Sequence, residues 1–188
     1  MKKSIILFII SIVALCIPMQ AQHLKFMDIP LTGTITQFQN KLQAKGMKYD
    51  KALSQELPAG TRAFNGTFAG EKANIFVYYD PATKVVYKAK AVIGCETTSI
   101  CEQKYNEFKT LLSNKYNAFE HAEYQDGHEI NTYVIAKDNA TSMDDLIGFI
   151  SIYVSTPDFS YPYEKYLHIE YGDQQNMQKS DDSKMKDL

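Results

Sequence analysis

Apolar residues along this chain fall into runs spaced by three and four residues and runs that alternate, and each kind of run predicts a different element. Ile35, Phe38 and Leu42 recur at helical spacing behind Thr34, which stands three residues before Gln37 as in a capping box, and Gly46 supplies a stop. A first helix is therefore predicted over 34–45, after a short extended segment over 23–29. Tyr105, Phe108, Leu112 and Tyr116, with Leu111 beside them, line one face behind a second capping box at Ser99 and Glu102. Asn106, Glu107, Lys109, Thr110 and Ser113 occupy the opposite face, as they would on a solvated helix.

Between these helices the pattern changes to strands over 62–69, 73–79 and 84–93, with Asp80-Pro81-Ala82-Thr83 as the turn between the last two. Strands over 118–125, 128–136, 146–155 and 165–171 follow the second helix, the first two joined by Asp126-Gly127, a dipeptide that tolerates the positive φ of a two-residue hairpin loop. Each half thus places a helix ahead of three or four antiparallel strands. The expected fold is α+β: a twisted antiparallel sheet of seven to eight strands with two helices packed on one face, built from what reads as a duplicated helix-plus-meander unit.

Alternation assigns the faces. Val85, Tyr87, Ala89, Ala91 and Ile93 point toward the helices, and Lys88 and Lys90 point away. Two strands break the rule, because Ile75 to Tyr79, and likewise Phe149, Ile150, Ile152, Tyr153 and Val154, are apolar on both sides. Their second face must be covered by other parts of the chain, by a second copy, or by a ligand. Phe76, Tyr78, Lys88 and Lys90 on that face form the candidate binding surface. Phe159, Tyr161, Tyr163 and Tyr166, interrupted by Pro157 and Pro162, form a candidate aromatic loop, since tyrosine joins a rigid ring to a polar tip.

The amino terminus predicts export. Lys2 and Lys3 precede an apolar stretch from Ile5 to Ile17, and small Ala21 follows Pro18, which is the layout of a cleavable signal peptide over 1–21. The stretch is shorter than the roughly 20 residues that span a bilayer, so no membrane span is expected after processing. Cys16 has Leu15 before it and Ile17-Pro18 after it, a poor setting for lipid attachment, and the expected location is periplasmic or secreted. One domain over 22–172 and a disordered polar tail over 173–188, poor in apolar periodicity, complete the expected organisation.

Charge narrows the partners. Without Lys2 and Lys3, 18 basic residues remain of 20 against 22 acidic ones, and Arg62 is the only arginine. A mildly acidic surface disfavours nucleic acid, because phosphate neutralisation needs clustered Lys and Arg. Cys95 and Cys101 are the two cysteines outside the predicted signal. Both point into the same interior by periodicity, so they either close a disulfide or sit there as reduced, buried thiols.

Chemistry-bearing motifs are sparse. His23, His121, His128 and His168 have no metal-binding spacing, and no metal or cofactor is expected. No strained nucleophile elbow or phosphate-binding glycine loop occurs, and Gly66 and Gly70 read as a bend or bulge. Glu120, Glu123, Glu129 and Glu170 lie on predicted strands, where a catalytic pair or a solvated face would both account for them. Oxygen ligands crowd residues 138–145, but not with the periodicity of a calcium loop.

The run His23-Leu24-Lys25-Phe26-Met27-Asp28-Ile29-Pro30-Leu31, then Gly33-Thr34-Ile35, Phe38, Leu42 and Lys45-Gly46, resembles the start of small secreted proteins of gut Bacteroidetes. Phe64, Gly66, Phe68-Ala69-Gly70, Lys84-Val85-Val86-Tyr87 and Lys115-Tyr116 extend the likeness. It implies an origin and a compartment and carries over no catalytic residue. The expected function is a non-catalytic binding or interaction module of the cell envelope, with an envelope protein or glycan as partner. The alternatives are a structural protein that self-associates through the same face, and a glycan or cell-wall hydrolase.

Overall fold

The computed structural model describes residues 22–116, 118–125, 128–156 and 163–185. The chain enters through a small hairpin, β1 (Lys25–Phe26) and β2 (Ile29–Pro30), turned by Met27 and Asp28 at positive φ. Helix α1 (Ile35–Ala44) follows, then β3 (Lys48–Asp50), the short helix α2 (Lys51–Glu56), β4 (Thr61–Phe68), β5 (Glu71–Tyr79) and β6 (Val86–Cys95). Helix α3 (Thr98–Lys115) opens the second half, followed by β7 (Phe119–Gln125), β8 (His128–Ala136), β9 (Leu146–Ser155), β10 (Lys165–Asp173) and helix α4 (Gln174–Met185).

Eight strands form one antiparallel sheet in the order β3-β4-β5-β6-β10-β9-β8-β7. Each half is a helix followed by a four-stranded meander, and the last strands of the two meanders, β6 and β10, pair at the centre. The α+β architecture expected from the sequence is present, and the order of helix then meander recurs in both halves. Ile35, Phe38 and Leu42 of α1 and Cys101, Phe108 and Leu112 of α3 join Ile75, Val77, Ala89, Ala91, Ile93, Ile150, Ile152, Leu167 and Ile169 in one buried cluster, so both helices cover the same face. Burial of side chains this size stabilises by about 1.5–3 kcal/mol each.

Local chemistry explains the boundaries. Thr34 and Gln37 cap α1 reciprocally, and Gly46 at φ 88° closes it. Helix α3 begins earlier than the Ser99 box predicts: Thr97 is the cap, accepting from the Ile100 amide, while Glu164 accepts from both the amide and the hydroxyl of Thr98. Leu111, expected beside the buried stripe, is 51% exposed.

Strand β3 and helix α2 were not predicted. Asp50 caps α2 through the Leu53 amide, and the Ser54 hydroxyl accepts from the Ala63 amide of β4, where the pairing with β3 ends. Gly66 is no bulge, since β4 pairs regularly there; a Cβ at this position would meet the Met47 sulfur at 2.5 Å. The turn itself is made by Ala69 and Gly70 at φ 48° and 90°.

Two corrections bear on the candidate site. The register of β5 and β6 shifts between Tyr78 and Tyr79, so Val86 and Ala89 are buried whereas Val85 and Tyr87, assigned to the core by strict alternation, are half-exposed. The expected disordered tail instead continues β10 to Asp173 and then forms α4. Its buried face is polar. Asp173 accepts from the Asn176 amide, the Asn176 side chain donates to the carbonyls of Leu31 and Val86, and Ser180 reaches Asp80.

Candidate functional site

The face of the sheet away from α1 and α3 is where the sequence placed its candidate residues. Cross-strand register orders it in rows. Phe76, Lys90, Glu170, Ser151 and Thr132 form one row across β5, β6, β10, β9 and β8. Tyr78, Lys88, Gly172, Phe149 and Val134 form the next, and Asn74, Val92, His168, Tyr153 and Ile130 lie on the other side. Every large side chain of the three rows is only partly buried.

Phe76 and Tyr78 are two residues apart on β5 and so stand side by side, and Lys88 and Lys90 repeat that spacing on the neighbouring strand. The four predicted residues therefore come together. The Lys88 ammonium lies 4.5 Å from the centre of the Tyr78 ring and bonds Glu170 at 3.1 Å. Lys90 approaches the Phe76 and Tyr78 rings at 5.9 and 6.0 Å. Burial lowers the Lys90 pKa; Glu170 opposes this and the Lys88 charge adds to it. Burial, then Glu170, pushes the Tyr78 and Tyr153 phenols up to about 12.

Glu170, Tyr153 and His168 complete the face and were not assigned to it from sequence. His168 stacks on Tyr153 with centroids 4.6 Å apart and planes 2° from parallel, and its Nε2 bonds the Ser155 hydroxyl at 2.7 Å. Alternation within β10 already separates Tyr166, His168 and Glu170 from Leu167, Ile169 and Tyr171. What the sequence withholds is that β10 lies beside β6, a pairing between residues nearly 80 positions apart.

The candidate aromatic loop falls partly on the same surface. Phe159 and Tyr161 lie outside the described residues. Tyr163 packs on Gly94, where any side chain would collide with its ring, and meets Tyr166 edge-on at 5.8 Å. Tyr166 pairs with Gly94, so these rings extend the surface beyond His168. At the opposite end, Phe149 and the Met177 sulfur of α4 occupy the space above Gly172.

Cys95 and Cys101 are joined as a disulfide, with Cα atoms 5.2 Å apart, tying the end of β6 to the first turns of α3. The other chemistry-bearing residues take structural partners. Glu120 and Glu129 both approach Lys109, at 3.3 and 4.0 Å. His23 bonds the buried Asp173. In the 138–145 loop Asp145 accepts from the Thr141 and Ser142 amides, which holds its pKa down; burial opposes this. Among the described residues no three His, Cys, Asp or Glu side chains converge as metal ligands, and no helix is long and apolar enough to cross a membrane.

No family model, curated protein or solved structure matches this chain.

Proposed function

We propose that this chain is an exported binding module of the bacterial cell envelope that engages a protein partner through the sheet face bearing Phe76, Tyr78, Lys88 and Lys90. One observation carries the reading: the face opposite the helices presents partly exposed aromatic rings interleaved with two lysines and one carboxylate, although it runs across the central strands of the sheet. Tyrosine and phenylalanine beside fixed charges supply both contact area and orientation at protein interfaces. A broad pleated surface suits a protein more than a small ligand, which prefers a concave site. Export is supported by the charged, apolar and small-residue layout of residues 1–21 and by a disulfide suited to an oxidising compartment.

The test uses purified protein, with Tyr78→Ser and Lys90→Glu as surface variants. Sedimentation at micromolar concentration is expected to give a monomer. Affinity capture from envelope extracts is expected to retain one protein that both variants lose while keeping the wild-type melting temperature. A partner captured equally by both variants overturns the assignment of the face. A dimer that dissociates in both variants replaces it with self-association.

A further inference from the structure

On the helix-covered side, a groove of about 460 Å³ is lined by residues from the C-terminal ends of α1 and α3 and from the β1–β2 hairpin. We propose that this groove binds a free single-chain carboxylate amphiphile of fatty-acid type, a site separate from the sheet face. Its floor is apolar: Phe68, Phe108, Leu112 and Tyr171 reach it from the core, and Leu111, the most exposed leucine described, forms one wall. Its rim carries three lysines, Lys25, Lys45 and Lys115, against one acid, Asp28.

Charge supplies the argument for the occupant. The whole chain carries a net charge of −2, yet this mouth is predominantly cationic. Among the described residues only Lys45 of the three is ion-paired, to Asp28 at 3.6 Å. Lys45 and Lys115 stand at helix C-termini, where each also offsets a helix dipole, but Lys25 lies on β1 and has no such role. A greasy floor under a ring of ammonium groups matches one apolar chain ending in one anionic head. The volume falls within the roughly 300–1,000 Å³ of small-ligand sites, too small for a folded partner.

Titration of decanoate into methyl-labelled protein, followed by NMR, tests the site. Saturable shifts are expected at the methyl groups of Leu111, Leu112 and Met27, with Val92 and Ile130 on the sheet face unmoved. Because Leu111 is half-exposed, Leu111→Gln leaves the fold intact and is expected to weaken binding about tenfold. The Lys25→Gln, Lys115→Gln double variant is expected to bind decanoate no better than decanol, and raising the salt concentration is expected to weaken only the wild type. Decanol binding the wild type as tightly as decanoate overturns the proposal, as do shifts confined to the sheet face. Binding to phosphatidylglycerol vesicles without saturable shifts from free decanoate also overturns it, in favour of a membrane surface.

Discussion

Two buried aspartates show how single residues give this protein opposite responses to pH. Asp80 closes the β5–β6 turn, and its pKa lies below the usual carboxylate value chiefly because the Thr83 amide donates to it at 2.7 Å; the Thr83 hydroxyl, the Ala82 amide and Ser180 add to this, while burial opposes it. Its stabilisation is therefore present above the ordinary carboxylate pKa and lost as pH falls through the lowered one. Asp80→Ala is expected to cost about 2 kcal/mol in urea unfolding at pH 7, and that cost shrinks on acidification. Asp173 behaves in reverse. Burial raises its pKa, only partly offset by the Asn176 and Leu24 amides and by His23, so its contribution is fully present at low pH and falls as pH rises through the raised value. Stability of Asp173→Asn relative to wild type is accordingly expected to increase with pH across that range, a trend that paired melts from pH 4 to 8 would reveal or refute.

Among the elements, α1 and β8 show what periodicity captures, and α4 shows what it misses. A helix with an apolar stripe announces itself at every turn. Helix α4 buries Asn176 and Ser180 instead, and such a face reads as solvated until its partners are known. The element at the other end of the central strand is pinned covalently, because Cys95–Cys101 fixes the start of α3. With five residues between the cysteines, loop closure contributes about 2 kcal/mol, so the Cys95→Ala, Cys101→Ala double variant is expected to lose that much unfolding free energy, read as a lower urea midpoint. Dithiothreitol should then lower the midpoint of the wild type and leave the double variant unchanged.

For the molecule as a whole, the seam between β6 and β10 matters most. Ala91 pairs with Ile169, and Ile169 with Ile152, so the two meanders share a core at the place where they meet. Truncating a fully buried isoleucine to alanine typically costs about 2–5 kcal/mol. Ile169→Ala is expected to fall in that range and to lower hydrogen-exchange protection in both meanders together. Loss confined to β7–β10 would show instead that the halves are energetically independent. The same seam assembles the candidate binding face, because Lys88 and Lys90 come from one half and Glu170, His168 and Tyr153 from the other.

Local sequence was sufficient for the α+β class, the strand limits of β8 and β9, the cap of α1 and the shared sheet face of Phe76, Tyr78, Lys88 and Lys90, since each depends on spacing within a few positions. Those signals survive because side-chain direction repeats every two residues in a strand and every three or four in a helix. Tertiary structure alone decided the rest. It set Glu170 against Lys88 and gave α4 its polar anchors through contacts between residues far apart in the chain, and it slipped Tyr87 out of the core at a bulge in the β5–β6 pairing. Partner choice among strands depends on how the whole sheet closes over its core, and no local period encodes it.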